Sequence, residues 1–274
     1  MENIFNHYGF TELWNPKLIV FTFFFTIFYF KASGRFISTV EKWKKLSFLT
    51  GILIFYIAVG SPLHLIGHSY LFSVHMLEQA LVYFVATPLI LLGLPIKLIE
   101  EMFNYRFFNK MIGFFTNPIV AALMFNGLFS LYHFPIIFDY LSINHFYQNL
   151  YHSILTFTSI MMWLSIIYSP NKKHELSQLK KIGYILVNSV LITPVCALII
   201  FSNNVLYTTY LNAPQLFEIL PALEDQQLGG ILMKMVQEGV FLTVIGIIFF
   251  KWVKQEREKD EMFSENEIAS DKVV

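Results

Sequence analysis

The sequence predicts an all-α fold, a membrane bundle of seven transmembrane helices with its amino terminus outside and its carboxyl terminus in the cytoplasm. Three observations carry that expectation. Of 274 residues, 55% are hydrophobic and 14% charged, with 30 Phe, whereas a soluble domain carries roughly 25% charged residues. Seven apolar runs approach the ~20 residues that cross a hydrocarbon layer. Basic residues fall in every second connection, as retention of Lys and Arg on the cytoplasmic side requires.

Taken in order, the first run (residues 15–30) is followed by Lys31, Arg35, Lys42, Lys44 and Lys45. The second (46–60) leads into a connection, 61–69, with no Lys or Arg. The third (70–94) carries an internal Thr87-Pro88, which should kink it and leave carbonyls for neighbouring side chains or water; Lys97, Arg106 and Lys110 follow. The fourth (118–133) precedes a Lys/Arg-free connection, 134–146. The fifth (147–168) is followed by Lys172, Lys173, Lys180 and Lys181, and the sixth (182–201), with its own Thr193-Pro194, by the Lys/Arg-free stretch 202–227. The seventh (228–251) runs into a tail holding Lys251, Lys254, Arg257, Lys259 and Lys272. Residues 1–251 thus read as one bundle and 252–274 as a flexible polar tail. Residues 1–16 lack the basic region of a cleavable signal, so the first span is expected to stay.

Lys+Arg and Asp+Glu balance at 19 each, so no net positive field recruits nucleic acid. A single cysteine, Cys196, excludes an intramolecular disulfide. The lipid bilayer is the expected solvent.

Ionisable groups at membrane depth are costly, and each is a functional hypothesis that needs a partner. In the third span His75, Glu78 and Gln79 stand at i, i+3 and i+4, on one helix face, with Met76 beside them. The fourth aligns Asn126, Ser130 and His133, the fifth His145, Gln148, His152, Thr156 and Ser159, the sixth Ser189, Thr193 and Cys196, and the seventh Gln227, Lys234, Gln237 and Glu238 near Met233 and Met235. All lie toward the outer half, which suggests one outward-facing site. Neutral imidazole ligates copper, zinc or iron, and thiolate or thioether ligands favour Cu(I), so His75, His133, His152, Met76, Met233 and Cys196 suggest copper. A plainer reading stands beside it: buried amides and hydroxyls as interhelical glue, methionines as packing, and Lys234 with Glu238 as an i, i+4 ion pair. His64, His68 and His145 read as solvated loop or helix-start residues.

The run GSPLHLIGHSYLFSVHMLEQALVYFVATPLILLGLP at 60–95, the YHFP at 132–135, the YQNLYH opening the fifth span and the DQQLGG at 225–230 resemble the CtaG-type cytochrome c oxidase assembly factors. The blocks occur in family order and cover most of the chain from Gly60 to Lys251. The resemblance implies a polytopic protein of the bacterial cell membrane, needed for active haem-copper oxidase, that delivers copper to the oxidase's catalytic subunit. Its recurrent positions map to His75, Met76, His133, Pro135, His152, Asp225, Gln226, Gly229, Gly230 and Met233. Many members carry a second histidine where this chain has Gln79 and Gln148, so each helix keeps one imidazole of an expected pair and a weaker, transfer-type site follows.

On this reading His75, His133 and His152 supply imidazoles, and Met76, Met233 and Cys196 soft ligands, while Glu78 and Asp225 gather cations at the mouth. One alternative is a haem-binding redox or haem-handling protein with His75 and His133 or His152 as axial ligands. Another is a purely structural assembly platform. A transporter path is disfavoured because polar residues fade in the inner half to isolated groups such as Ser165 and Asn188. No nucleophile, base and orienter constellation is legible, so the chain reads as a non-enzyme.

Overall fold

The computed structural model describes residues 8–36, 42–103, 106–168, 175–214 and 220–271. Lys172, Lys173 and Lys272, part of the basic pattern above, lie outside them. The described residues are almost entirely helical, with no strand among them. Several helices open where the sequence provides both a cap and a pre-set φ. Asn15, Ser61 and Asn117 offer side-chain oxygens to Leu18 N, Leu63 N and Ile119 N, just ahead of Pro16, Pro62 and Pro118.

Six helices are long and apolar enough to cross a membrane: Pro16–Gly34, Lys42–Gly60, Phe72–Gly93, His145–Ile167, Gln178–Ile200 and Ala222–Met262. The expected fourth span is the bent pair Pro118–Tyr132 and Pro135–Ser142, broken by 74°. Pro135 explains the break, since the residue before a proline is driven out of the helical region, and Phe134 sits at φ −70°, ψ 123°. Beyond Lys251, where the sequence predicts a flexible tail, the last helix continues to Asp271. Its polar stretch is rich in good helix formers and carries Lys254–Glu258 and Lys259–Glu256 pairs at helical spacing.

The third span is the axle of the bundle, with 67% of its apolar window buried against 17% for the first span. It packs on the second, fifth and seventh spans. Close approach to the second span depends on missing side chains. A Cβ on Gly93 would stand 2.7 Å from Lys44 O and Phe48 N, and one on Gly51 would stand 2.8 Å from Ile90 N.

The Thr87-Pro88 pair deforms the third span as the sequence predicts, and the form is a π-helical turn, Leu81–Ala86. Thr87 sends both its N–H and its hydroxyl to Val82 O. The carbonyl of Tyr83, left without a helical donor by Pro88, accepts from Ser159 Oγ and Trp163 Nε1 of the fifth span, both at 2.9 Å. At Thr193-Pro194 the sixth span continues as one helix with Pro194 inside it. Amide glue is present where expected: Asn126 donates to Asn188 Oδ1 at 2.7 Å, joining the fourth and sixth spans.

At one end three connections interlock into a roof. The helix Pro62–Ser69 lies on the third span, Tyr210 donates to Gly67 O at 2.7 Å, Tyr207 donates to His133 O at 3.0 Å, and Thr208 Oγ1 donates to Asp139 at 2.8 Å. These are the connections that the sequence marks as lacking Lys and Arg.

Candidate metal site beneath the roof

The site is assembled from the roof and three spans. Ser61 and Pro62 start the helix Pro62–Ser69, and that helix puts His64 and His68 at i, i+4 on one face. Beneath it the third span presents His75, Glu78 and Gln79, all buried. The fifth span adds His152, the end of the fourth adds Tyr132, and the π-helical turn adds Tyr83.

His64, His68 and Glu78 form a group whose ligand atoms all lie within 4.8 Å of one another. Glu78 Oε1 is 2.9 Å from His64 Nδ1, and Oε2 is 3.5 Å from His68 Nε2. Burial would lower the pKa of His64, but the hydrogen bond and charge of Glu78 outweigh it and hold the imidazole above its ordinary value. His75 adjoins the group, its ring centroid 4.8 Å from that of His68, and His152 stands 5.7 Å from both His68 and His75. Four buried atoms here have no hydrogen-bond partner: His68 Nε2, His75 Nδ1, Glu78 Oε2 and Gln79 Oε1. A native interior rarely leaves so many together without water or an ion to meet them.

A line of hydrogen bonds runs outward from His75. Its Nε2 meets Gln79 Nε2 at 2.7 Å and the Tyr132 phenol at 3.2 Å. The same phenol lies 3.0 Å from His152 Nε2, and the Tyr83 phenol 3.0 Å from His152 Nδ1. A cavity of about 360 Å³ opens onto Glu78, Gln79, Tyr83 and His152 between the second and fifth spans, with His64 at its rim.

Of the residues singled out in the sequence, His75 and His152 come together, and others are placed differently. His64 and His68, read as solvated, are half-buried and complete the group; their His-x-x-x-His spacing was the available signal, in a segment passed over as a loop. Glu78 lies at the centre of the group, not at its mouth. Asp225 is no cation-gathering mouth either. It is buried on the seventh span, and its carboxylate accepts from Phe72 N at 2.6 Å, Ser73 N at 3.3 Å and Ser73 Oγ, capping the third-span helix.

Met76, Met233 and Cys196 belong to the hydrophobic core. Met76 faces Gly229, where a Cβ would come within 3.1 Å of its Cγ. His133 is buried among Phe129, Tyr132 and Phe138, with Nδ1 2.8 Å from Phe129 O, and Tyr132 is the ring that separates it from His75. Gln148 is buried and His145 exposed at its helix start. Lys234 and Glu238 do form an ion pair, which Ser189 and Thr193 of the sixth span join. Tyr132 lies hydrogen-bonded between His75 and His152, one of the two histidine pairs named above as axial haem ligands.

Residues 22–255 match the family described as cytochrome c oxidase caa3 assembly factor (Caa3_CtaG). No curated protein and no solved structure matches the chain.

Proposed function

We propose that this chain, which belongs to the cytochrome c oxidase caa3 assembly factor family, serves oxidase assembly by holding copper at the roof site and passing it to the oxidase's catalytic subunit. The observation that carries the reading is the His64, His68 and Glu78 group, its atoms within 4.8 Å of one another, with the buried His68 Nε2 and Glu78 Oε2 facing each other at 3.5 Å.

Two imidazoles and a carboxylate suit a divalent first-row ion, and Cu(II) stands at the top of that affinity order. Thiolate and thioether lie in the core away from the group, so the cargo is held by nitrogen and oxygen, not by sulfur. His64, part-exposed and lining the open cavity, fits a donor that must also release its ion. The site faces outward on this reading, because the roof connections lack Lys and Arg while the opposite connections hold them. The multi-pass bundle thereby offers copper at the outer face of a bacterial cell membrane. Protonated imidazole cannot ligate, so binding weakens in acid.

The test is the copper-to-haem ratio of the client oxidase's catalytic subunit, purified from cells carrying the wild-type chain, His68→Ala or Glu78→Gln at equal levels. Haem retained with copper depleted in both variants is the expected result. A normal ratio in both would refute copper handling and favour a scaffold that steadies the subunit.

A further inference from the structure

We propose that Tyr132 is a positioning residue that makes His75 an additional ligand of this site, a step that rests on the metal-site reading above. A neutral imidazole has one nitrogen that donates and one that accepts. The Tyr132 hydroxyl has one proton, yet it lies between His75 Nε2 at 3.2 Å and His152 Nε2 at 3.0 Å, so it donates to only one of them.

Two orderings satisfy the chain. In the first, Tyr83 donates to His152 Nδ1, His152 Nε2–H donates to Tyr132, and Tyr132 donates to His75 Nε2. The proton of His75 then sits on Nδ1, buried where no acceptor meets it. In the second every bond is reversed. His75 Nε2–H donates to Tyr132, Tyr132 donates to His152 Nε2, and His152 Nδ1–H donates to Tyr83. Each histidine changes tautomer, each hydroxyl turns, and no group gains or loses a proton.

The second ordering leaves a lone pair on His75 Nδ1, fully buried and with its ring 4.8 Å from that of His68. The Gln79 amide, 2.7 Å from Nε2, shares that nitrogen's single lone pair or single proton with Tyr132, turning its nitrogen toward the ring in the first ordering and its oxygen in the second. A metal ion bound at the His64, His68 and Glu78 group would gain His75 Nδ1, buried and without a hydrogen-bond partner, once the adjoining ring moves in toward the group, and that ligation selects the second ordering. Tyr83, which lines the cavity, then carries a hydroxyl proton no longer engaged with His152, so occupancy of the site is felt at the cavity wall.

The experiment is Cu(II) titration and electron paramagnetic resonance of the full-length protein in detergent, comparing wild type, His75→Ala, Tyr132→Phe and the double variant. Tyr184→Phe, a buried phenol on the sixth span that donates to Met162 O, is the packing control. Orienting partners of metal ligands typically contribute 10- to 100-fold in affinity. We expect Tyr132→Phe to weaken Cu(II) binding about 10-fold or more, with one nitrogen coupling lost in His75→Ala. The double variant should be no weaker than His75→Ala, because Tyr132 acts through His75, and Tyr184→Phe should bind as wild type. Unchanged affinity and spectrum in Tyr132→Phe, or losses that simply add in the double variant, would overturn the inference while leaving the metal site standing. Cu(II) binding unaffected by His68→Ala would overturn the site itself.

Discussion

Replacing Asp225 separates two roles that its sequence position allows. As a cap it receives Phe72 N at 2.6 Å, Ser73 N at 3.3 Å and Ser73 Oγ, from a helix 153 residues earlier in the chain, while itself buried. Asp225→Ala leaves those first-turn donors unmet. Each orphaned buried donor costs ~1–3 kcal/mol, and loss of an N-cap ~0.5–2 kcal/mol. Ser73 Oγ can turn to another acceptor, so the total is about 3 kcal/mol. At roughly 2–4 °C per kcal/mol for a chain of this size, the unfolding temperature in a fixed detergent should fall by about 6–12 °C. Asp225→Asn keeps one acceptor oxygen and loses the charge, so its fall should be about a third as large. Cu(II) affinity of the folded protein should be unchanged in both, because the carboxylate is already committed to backbone N–H groups. Asp225→Asn with an unaltered unfolding temperature and severalfold weaker Cu(II) binding would refute the cap and restore a cation-gathering carboxylate.

Glu78→Gln removes the one anionic ligand between His64 and His68, and isothermal titration should show Cu(II) affinity falling by at least about 10-fold. The metal-free protein should be more stable near pH 6 than near pH 8. His64 has a raised folded pKa, so the stability from its pairing with Glu78 is full below the unfolded value of about 6.5 and is lost as pH rises through the folded one. Cu(II) binding should run the other way and strengthen over the same interval, and Glu78→Gln should flatten the stability difference in chemical denaturation. Gly93→Ala places a methyl 2.7 Å from backbone atoms of Lys44 and Phe48, and should cost about 1–3 kcal/mol in the same thermal assay. Lys234→Met leaves the Glu238 charge with Ser189 as its remaining hydrogen-bond partner, so the double variant Lys234→Met/Glu238→Gln should melt above the single variant.

The spans were legible because lipid imposes length and apolarity on each, and the alternation of Lys and Arg ordered them. The kink at Thr87-Pro88 was legible for the same local reason, since proline removes a donor wherever it stands. The 74° break at Pro135 was not, because apolarity continues through Phe134, Ile136 and Ile137 while the backbone turns. In the site, His75, Glu78 and His152 could be found from burial cost alone. His64 and His68 could not, since their burial comes from a roof held by Tyr207, Tyr210 and Asp139, contacts between segments some 70 to 140 residues apart. Asp225 was placed at the right site and given the wrong task, because a helix N-terminus and a metal ion both attract a carboxylate and only packing distinguishes them.

The Asp225 cap also has a temporal side. His64, His68 and Glu78 belong to the first third of the chain, but the carboxylate that caps the helix bearing Glu78 is synthesised 153 residues after Phe72. At ~5–20 residues per second that interval is roughly 8–30 s. The nascent protein therefore displays its imidazoles before the turn beneath them is fastened, and the last span to be made is the one that finishes the site. A cell that matched copper supply to completed chains would find the signal for readiness built into the order of translation.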